Sequence, residues 1–339
     1  MAIEHIDGFD HWTTNTMTRH KGWVSGTNLN TQFAGRRGGT CLSVTSAATV
    51  YRKTATTDKF CIGCAMELDP GGGQTGYFFY FRDAANSVSQ VGLFLNADGT
   101  ISVRRGSTTL DTTVATTPLD EWFYLEFLVT IHASAGAYEL RMNGATILSA
   151  SGVNTQNGGV AQASQCWLTG SGGLGSNLNG SIDFDDFVLQ SGSASALLGD
   201  CRVDTFFPDA DGASSQFTPS TGTDNYAMVD EANPDDDTTY VESSTVGHID
   251  LYGFPDLSHT PANIYAVQVS PRVNKTESGY RSMKAVVRSG GANYESAERV
   301  IGADTFVWVP LLFEEDPDTA AAWTIAGVNA IEAGLKVEA

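Results

Sequence analysis

Hydrophobic and polar residues alternate along much of the chain with the two-residue period of a β-strand. The clearest case runs from Asp120 to Gly152, where Phe123, Leu125, Phe127, Val129 and Ile131 fall on one face of a predicted strand. A small-residue turn follows, then a second alternating strand that ends in Met142-Asn143-Gly144. Asn-Gly supplies the positive φ angles of a tight hairpin turn. Two antiparallel strands with one apolar face must bury that face against another sheet, so the segment predicts a β-sandwich.

Similar runs predict strands near residues 40–45, 49–54, 60–68, 76–82, 90–95, 100–105, 166–169 and 181–189. Asn96-Ala97-Asp98-Gly99 reads as a hairpin turn between two of them. Residues 158–180 form a Gly/Ser/Asn-rich loop region enclosing one short strand. The small-residue segment that begins at Ser191 reads as a linker over 191–198, after which composition changes. From Asp183 to Asp256 there are 16 acidic residues and a single basic one, Arg202. Strand-like runs return near 264–269, 282–288, 299–301 and 306–313, and the chain closes on a short helical turn leading to a last strand. The expected organisation is all-β: a first domain over 1–190, the linker 191–198, and a second, smaller β-rich domain over 199–339.

Composition narrows the function classes. The 339 residues suit two domains, and 41% hydrophobic content is ample for packed cores. Nineteen Lys and Arg against 39 acidic residues give a net charge of −20, which excludes the basic footprint of a nucleic-acid binder. No run approaches the 18 apolar residues that span a bilayer, so no membrane insertion is expected. Met1–Gly8 lacks a basic stretch ahead of an apolar core; no signal peptide and synthesis in the cytoplasm are expected. Five cysteines do not make a disulfide scaffold. Cys61-Ile62-Gly63-Cys64 lies in a predicted strand, where residues three apart point to opposite faces, so both read as buried small hydrophobes.

Trp122 opening a long strand, the hairpin at Asn143-Gly144, and a closing strand Gly180-Ser-Ile-Asp-Phe-Asp-Asp-Phe-Val-Leu resemble the concanavalin A-like, laminin-G-like jelly-roll family. The resemblance covers roughly residues 1–190 and implies an N-terminal jelly-roll β-sandwich in which Asp7-Gly8-Phe9-Asp10 pairs with the closing strand. The second half, with Gly199-Asp200-Cys201-Arg202-Val203, Pro208-Asp209-Ala210-Asp211-Gly212, Asn225-Tyr226-Ala227, Pro234–Val241 and the C-terminal Trp323, looks like the distal domain of tailed-bacteriophage structural proteins. That likeness implies a virion component of tail, neck or head. Its partners would be other virion proteins, and a homo-oligomer would be expected.

Candidate chemistry is sparse. Alternation puts Asp183 and Asp185 on one face of the closing strand with Phe187, and Phe184 and Asp186 on the other. In laminin-G-like domains an acidic residue near this strand can help hold calcium, which makes Asp183 and Asp185 candidate Ca2+ ligands; strand capping or solvent exposure is the plainer alternative. Asp209-Ala210-Asp211-Gly212 begins like a calcium loop but lacks the later ligands and reads as a solvated turn. For sugar recognition, Trp12, Trp23, Tyr77, Tyr80 and Trp167 are candidate platforms, with Asn177 and Asn179 as amide donors; Trp167, Asn177 and Asn179 form the candidate site. Concanavalin A-like glycosidases carry Glu-x-Asp-x-x-Glu on one strand, and residues 181–189 contain no Glu. No hydrolase elbow or His-Glu-x-x-His occurs either, so an enzyme is not expected. Two readings remain: a structural virion protein, or a receptor-binding adhesin that recognises a host surface glycan.

Overall fold

The computed structural model describes residues 3–11, 21–25, 29–45, 48–68, 75–170, 181–303 and 306–339, with the backbone alone for 25, 29–33 and 45. The chain divides into two compact units, Met1–Asp204 and Thr205–Ala339. Both are built from antiparallel strands, as the alternation predicts.

The first unit contains β1 (Ile3–Asp7), β2 (Trp23–Ser25), β3 (Leu29–Ala34), β4 (Thr40–Thr45), β5 (Thr49–Thr57), β6 (Lys59–Leu68), β7 (Gly76–Asp83) and β8 (Val88–Leu95). It continues with β9 (Ile101–Arg105), β10 (Thr108–Thr112), β11 (Phe123–Thr130), β12 (Gly136–Met142), β13 (Ala145–Val153), β14 (Ala163–Thr169) and β15 (Ser181–Ser191). One sheet runs β13-β12-β11-β6-β15-β4-β3, with β1 also pairing β15; the other runs β10-β9-β8-β7-β14-β5-β2. Their apolar faces share one core that includes Phe60, Phe79, Phe81, Phe127, Phe184 and Phe187. Fully burying a residue of this size contributes about 1.5–3 kcal/mol, so the core is the main source of the unit's stability.

The predicted hairpins are present. Asn143 at φ 50° and Gly144 at φ 81° join β12 to β13, and the Asn143 side chain accepts from Tyr124 N at 2.8 Å. β1 pairs with the closing strand β15, with Asp7 opposite Phe187. Asp7 is fully buried; it accepts from Trp23 Nε1 at 2.9 Å and Phe9 N at 3.0 Å, and Lys21 Nζ lies 3.5 Å away. Lys21 and the neighbouring histidines hold the Asp7 carboxyl well below the usual carboxylate range even though burial alone would raise it.

In the second unit one sheet runs in the order Ala210–Ser215, Ile249–Gly253, Glu332–Val337, Ser282–Ser289, Ala292–Glu295, with Arg299–Val300 also pairing Ser282–Ser289. The acidic run at 209–212, expected as a turn, enters the first of these strands, because its Gly212 packs against the Leu251 backbone. Asp250 is fully buried and accepts from Phe217 N, Asn225 Nδ2 and Tyr252 OH. The closing helical turn, Ile325–Asn329, is capped by Thr324, whose hydroxyl accepts from Gly327 N at 3.0 Å. Among the described residues no helix is long and apolar enough to cross a membrane.

Candidate functional site

Alternation decides what the seven-stranded sheet shows to the outside. Val50, Phe79, Phe81, Leu93, Val103 and Leu168 point into the core, so the residues between them face away from it. Trp167 on β14 lies directly opposite Tyr51 on β5 and Tyr80 on β7. The Tyr51 and Trp167 rings stack at 4.5 Å between centroids and 18° between planes. Tyr80 and Trp167 do so at 5.6 Å and 10°. The same cross-strand row runs on through Gly92 to Arg104. Gly92 puts no side chain between Tyr80 and Arg104, and a Cβ there would collide with the Phe79 carbonyl and with Tyr80.

Two arginines are held against this row. Arg82 Cζ lies 5.3 Å from the Trp167 ring centroid. Arg104 Cζ lies 3.3 Å above Phe94, and its Nη2 donates to Asn96 Oδ1 at 3.1 Å. Tyr77, opposite Phe94, meets Phe94 and Tyr80 edge to face. Burial pushes the Tyr77 and Tyr80 phenols up to about 12, against the pull of Arg104 and Arg82 respectively. Both faces of Trp167 are covered by tyrosines, so this residue offers an edge where the sequence suggested an open platform. Ring edges carry partial positive charge. Together with guanidinium and amide groups, a strip of such edges favours ligands rich in oxygen.

The other sequence candidates are placed as follows. Trp23 is core, packed on Phe187 at 5.0 Å between centroids. Trp12, Asn177 and Asn179 lie outside the described residues. Asp183 and Asp185 sit on β15, on the outer side of the eight-stranded sheet. The expectation that Asp186 shares a face with Phe184, and Phe187 with the aspartates, is corrected. A β-bulge between Asp185 and Val188, with Asp186 at φ 51°, inverts the alternation. Phe187 therefore rejoins Phe184 in the core, while Asp186 stays beside Asp185.

Asp185 is taken up by the chain itself. Its carboxylate accepts from Arg36 N at 2.8 Å and Asp186 N at 2.7 Å, and burial, aided by the Asp186 charge, pushes it up to about 7. Asp186 accepts from Val203 N at 2.8 Å, with Arg36 Nη1 3.6 Å away. Arg36 in turn makes a bidentate pair with Asp200 at 2.5 and 2.6 Å. Glu126 Oε1 accepts from Leu198 N and Gly199 N at 2.7 and 2.8 Å. Residues 198–203 are thus strapped across this sheet. Both Asp185 oxygens receive N–H groups, and among the described residues no group of three or more His, Cys, Asp or Glu is assembled. Cys61 and Cys64 are buried, and burial raises both thiols.

Tyr51, Arg82, Phe94 and Arg104 were not singled out by the sequence. The signal present was the alternation Tyr51/Lys53 and Tyr80/Arg82 within predicted strands; the pairing that puts these strands around Trp167 is long-range and leaves no local trace.

No family model matches the chain, and a search of curated proteins gives no match. Similar solved structures include a chain titled "Sialidase", at 13% identity and a TM-score of 0.42, covering 57% of this chain and 19% of that one. They also include the cellulose induced protein Cip1, at 16% and 0.38, covering 60% of this chain and 100% of that one. A third is the carbohydrate binding module CBM66 from Bacillus subtilis, at 8% and 0.33, covering 50% of this chain and 96% of that one. The match thus spans about a fifth of the sialidase chain. The expectation that the chain is not an enzyme is corrected by this set. That set includes a chain titled "Sialidase", and a missing strand motif does not exclude catalysis, because function resides in sites grafted onto folds.

Proposed function

We propose that the first unit recognises carbohydrate through the outer face of its seven-stranded sheet, on a chain that serves as a structural component of a bacteriophage virion. The observation that carries the recognition reading is the row Tyr51, Trp167 and Tyr80 with Arg82 Cζ 5.3 Å from the Trp167 ring centroid. Aromatic surface beside a few fixed polar groups is the usual make-up of a small-ligand site. Here Gln165, whose Oε1 accepts from Trp167 Nε1 at 3.0 Å, adds an amide to that surface. The virion reading rests on the sequence resemblance of residues 199–339, and it would make the sandwich a displayed receptor-binding element.

The test is a glycan array probed with the full chain and with Trp167→Ala. Retention of at least one glycan by the wild type, lost in the variant while its melting temperature holds, is the expected result. Silence of the wild type on every glycan, or equal retention by the variant, overturns the recognition reading. Gold-labelled antibody on intact particles tests the virion half; no labelling of any particle would refute it.

A further inference from the structure

The two sheets of the first unit carry opposite charge. The strands of the seven-stranded sheet contain Arg52, Lys53, Arg82, Arg104 and Arg105 against only Asp83 and Asp111. This inverts the balance of a chain with 19 basic and 39 acidic residues. In the eight-stranded sheet, Lys59 and Arg141 stand against a larger set that includes Glu67, Glu126, Asp183, Asp185 and Asp186.

Alternation sharpens the contrast. Lys53, Arg82 and Arg104 share the outer face with the aromatic row. Asp83 and Asp111 occupy the alternate positions: Asp83 is buried and receives Ala85 N and Asn86 Nδ2, and Asp111 lies within reach of the core residue Tyr138. Among the described residues no carboxylate pairs with Lys53, Arg82 or Arg104. Arg36, Arg141, Arg202, Arg272 and Arg281, by contrast, each meet a carboxylate.

We infer that this outer face binds an acidic polysaccharide, a chain of sugars bearing repeated carboxylates, with Lys53, Arg82 and Arg104 as its cation contacts. The inference rests on the carbohydrate reading above and names its ligand class. Arg82 and Arg104 are fixed against Trp167 and Phe94, so little side-chain freedom is lost when they engage an anion. Lys53 on β5 and Arg104 on β9 are separated by β14, β7 and β8, which at the usual strand spacing is about 19 Å. A single terminal charge cannot reach both; a polymer with repeated charges can. The acidic groups of the opposite sheet do not pair with these cations, because packed sheets lie about 10 Å apart, beyond the reach of an ion pair.

The experiment is binding of the full chain to immobilised polygalacturonate, to the same polymer with its carboxyls methyl-esterified, and to an uncharged glucan, between low and high salt. The expected result is retention on the acid form alone, weakened by salt. Lys53→Gln and Arg104→Gln should each lower affinity by about tenfold, the loss of one charge-assisted hydrogen bond. Lys53 is exposed, so its variant keeps the fold and stays informative if Arg104→Gln unfolds. Retention on the ester or the glucan as strong as on the acid form overturns the acidic-ligand inference and leaves the carbohydrate reading standing. Retention on the acid form that both variants leave unchanged also overturns it. Silence on all three surfaces, together with a silent glycan array, overturns both.

Discussion

Replacing Asp185 by Asn should stabilise the protein at alkaline pH and destabilise it at acid pH. Asp185 is buried, and its folded-state pKa is raised from 3.8 to about 7 by burial first and the Asp186 charge second. Below 3.8 the carboxyl is protonated in folded and unfolded chains alike. Between 3.8 and about 7 the unfolded chain ionises while the folded one keeps its proton, so stability drains as pH rises through this window and is level above it. At 1.36 kcal/mol per unit the drain amounts to at most about 4 kcal/mol. Asn carries no charge and escapes it. The amide keeps an acceptor for Arg36 N but turns a donor toward Asp186 N, a mismatch that costs about 1–3 kcal/mol at every pH. The variant should therefore be less stable than wild type near pH 4.5 and more stable by about 1–3 kcal/mol near pH 8. Urea unfolding at both values, followed by tryptophan fluorescence and read on the transition of the first unit, measures the gap. A variant-minus-wild-type stability difference that stays constant with pH, or falls as pH rises, would refute the assignment of a buried, proton-holding Asp185.

Other outcomes follow from single contacts. Gly63→Ala should destabilise the first unit by about 1–3 kcal/mol, because its Cβ would collide with the buried Tyr124 hydroxyl; an unchanged melting temperature would show that Tyr124 moves aside freely. His5 is buried and its pKa is lowered from 6.5 to about 4, by burial and then by Arg52. Its contribution to stability is thus lost as pH falls from 6.5 through about 4, and an NMR titration should find a neutral ring at pH 5, whereas a midpoint near 6.5 would contradict it. Tyr252→Phe removes a hydroxyl that donates to buried Asp250 at 2.7 Å, and should destabilise the second unit by about 1.5–3 kcal/mol; a loss under about 0.5 kcal/mol on chemical unfolding would mean that Asp250 is satisfied without it.

The legible parts of the fold were those with local causes. The alternating core face of β11 and the Asn143-Gly144 turn could be read because each depends on neighbouring residues, whereas the long-range pairing of the opening segment with β15 came only from the family resemblance. The bulge at Asp185–Val188 could not be read. One inserted residue inverts every side chain beyond it, and nothing in Asp183-Phe184-Asp185-Asp186-Phe187 distinguishes a bulged strand from a regular one. Trp167 was visible as a candidate but its setting was not, since Tyr51 and Tyr80 reach it through pairings between distant strands. Charge misled in the same way. A total of −20 conceals a cationic sheet face, because composition records how many charges exist and topology decides which side they occupy.

The strap over residues 198–203 gives the molecule a mechanical character. Tension arriving from the C-terminal side would act first on Val203 N–Asp186, then on the Arg36–Asp200 fork, then on the two amides held by Glu126. These contacts would peel in succession, each yielding before the next is loaded, and only afterwards would the pull reach β15 at the centre of its sheet. The sandwich is thereby buffered: a tug on the chain falls first on a short zipper of replaceable contacts, before either sheet is loaded.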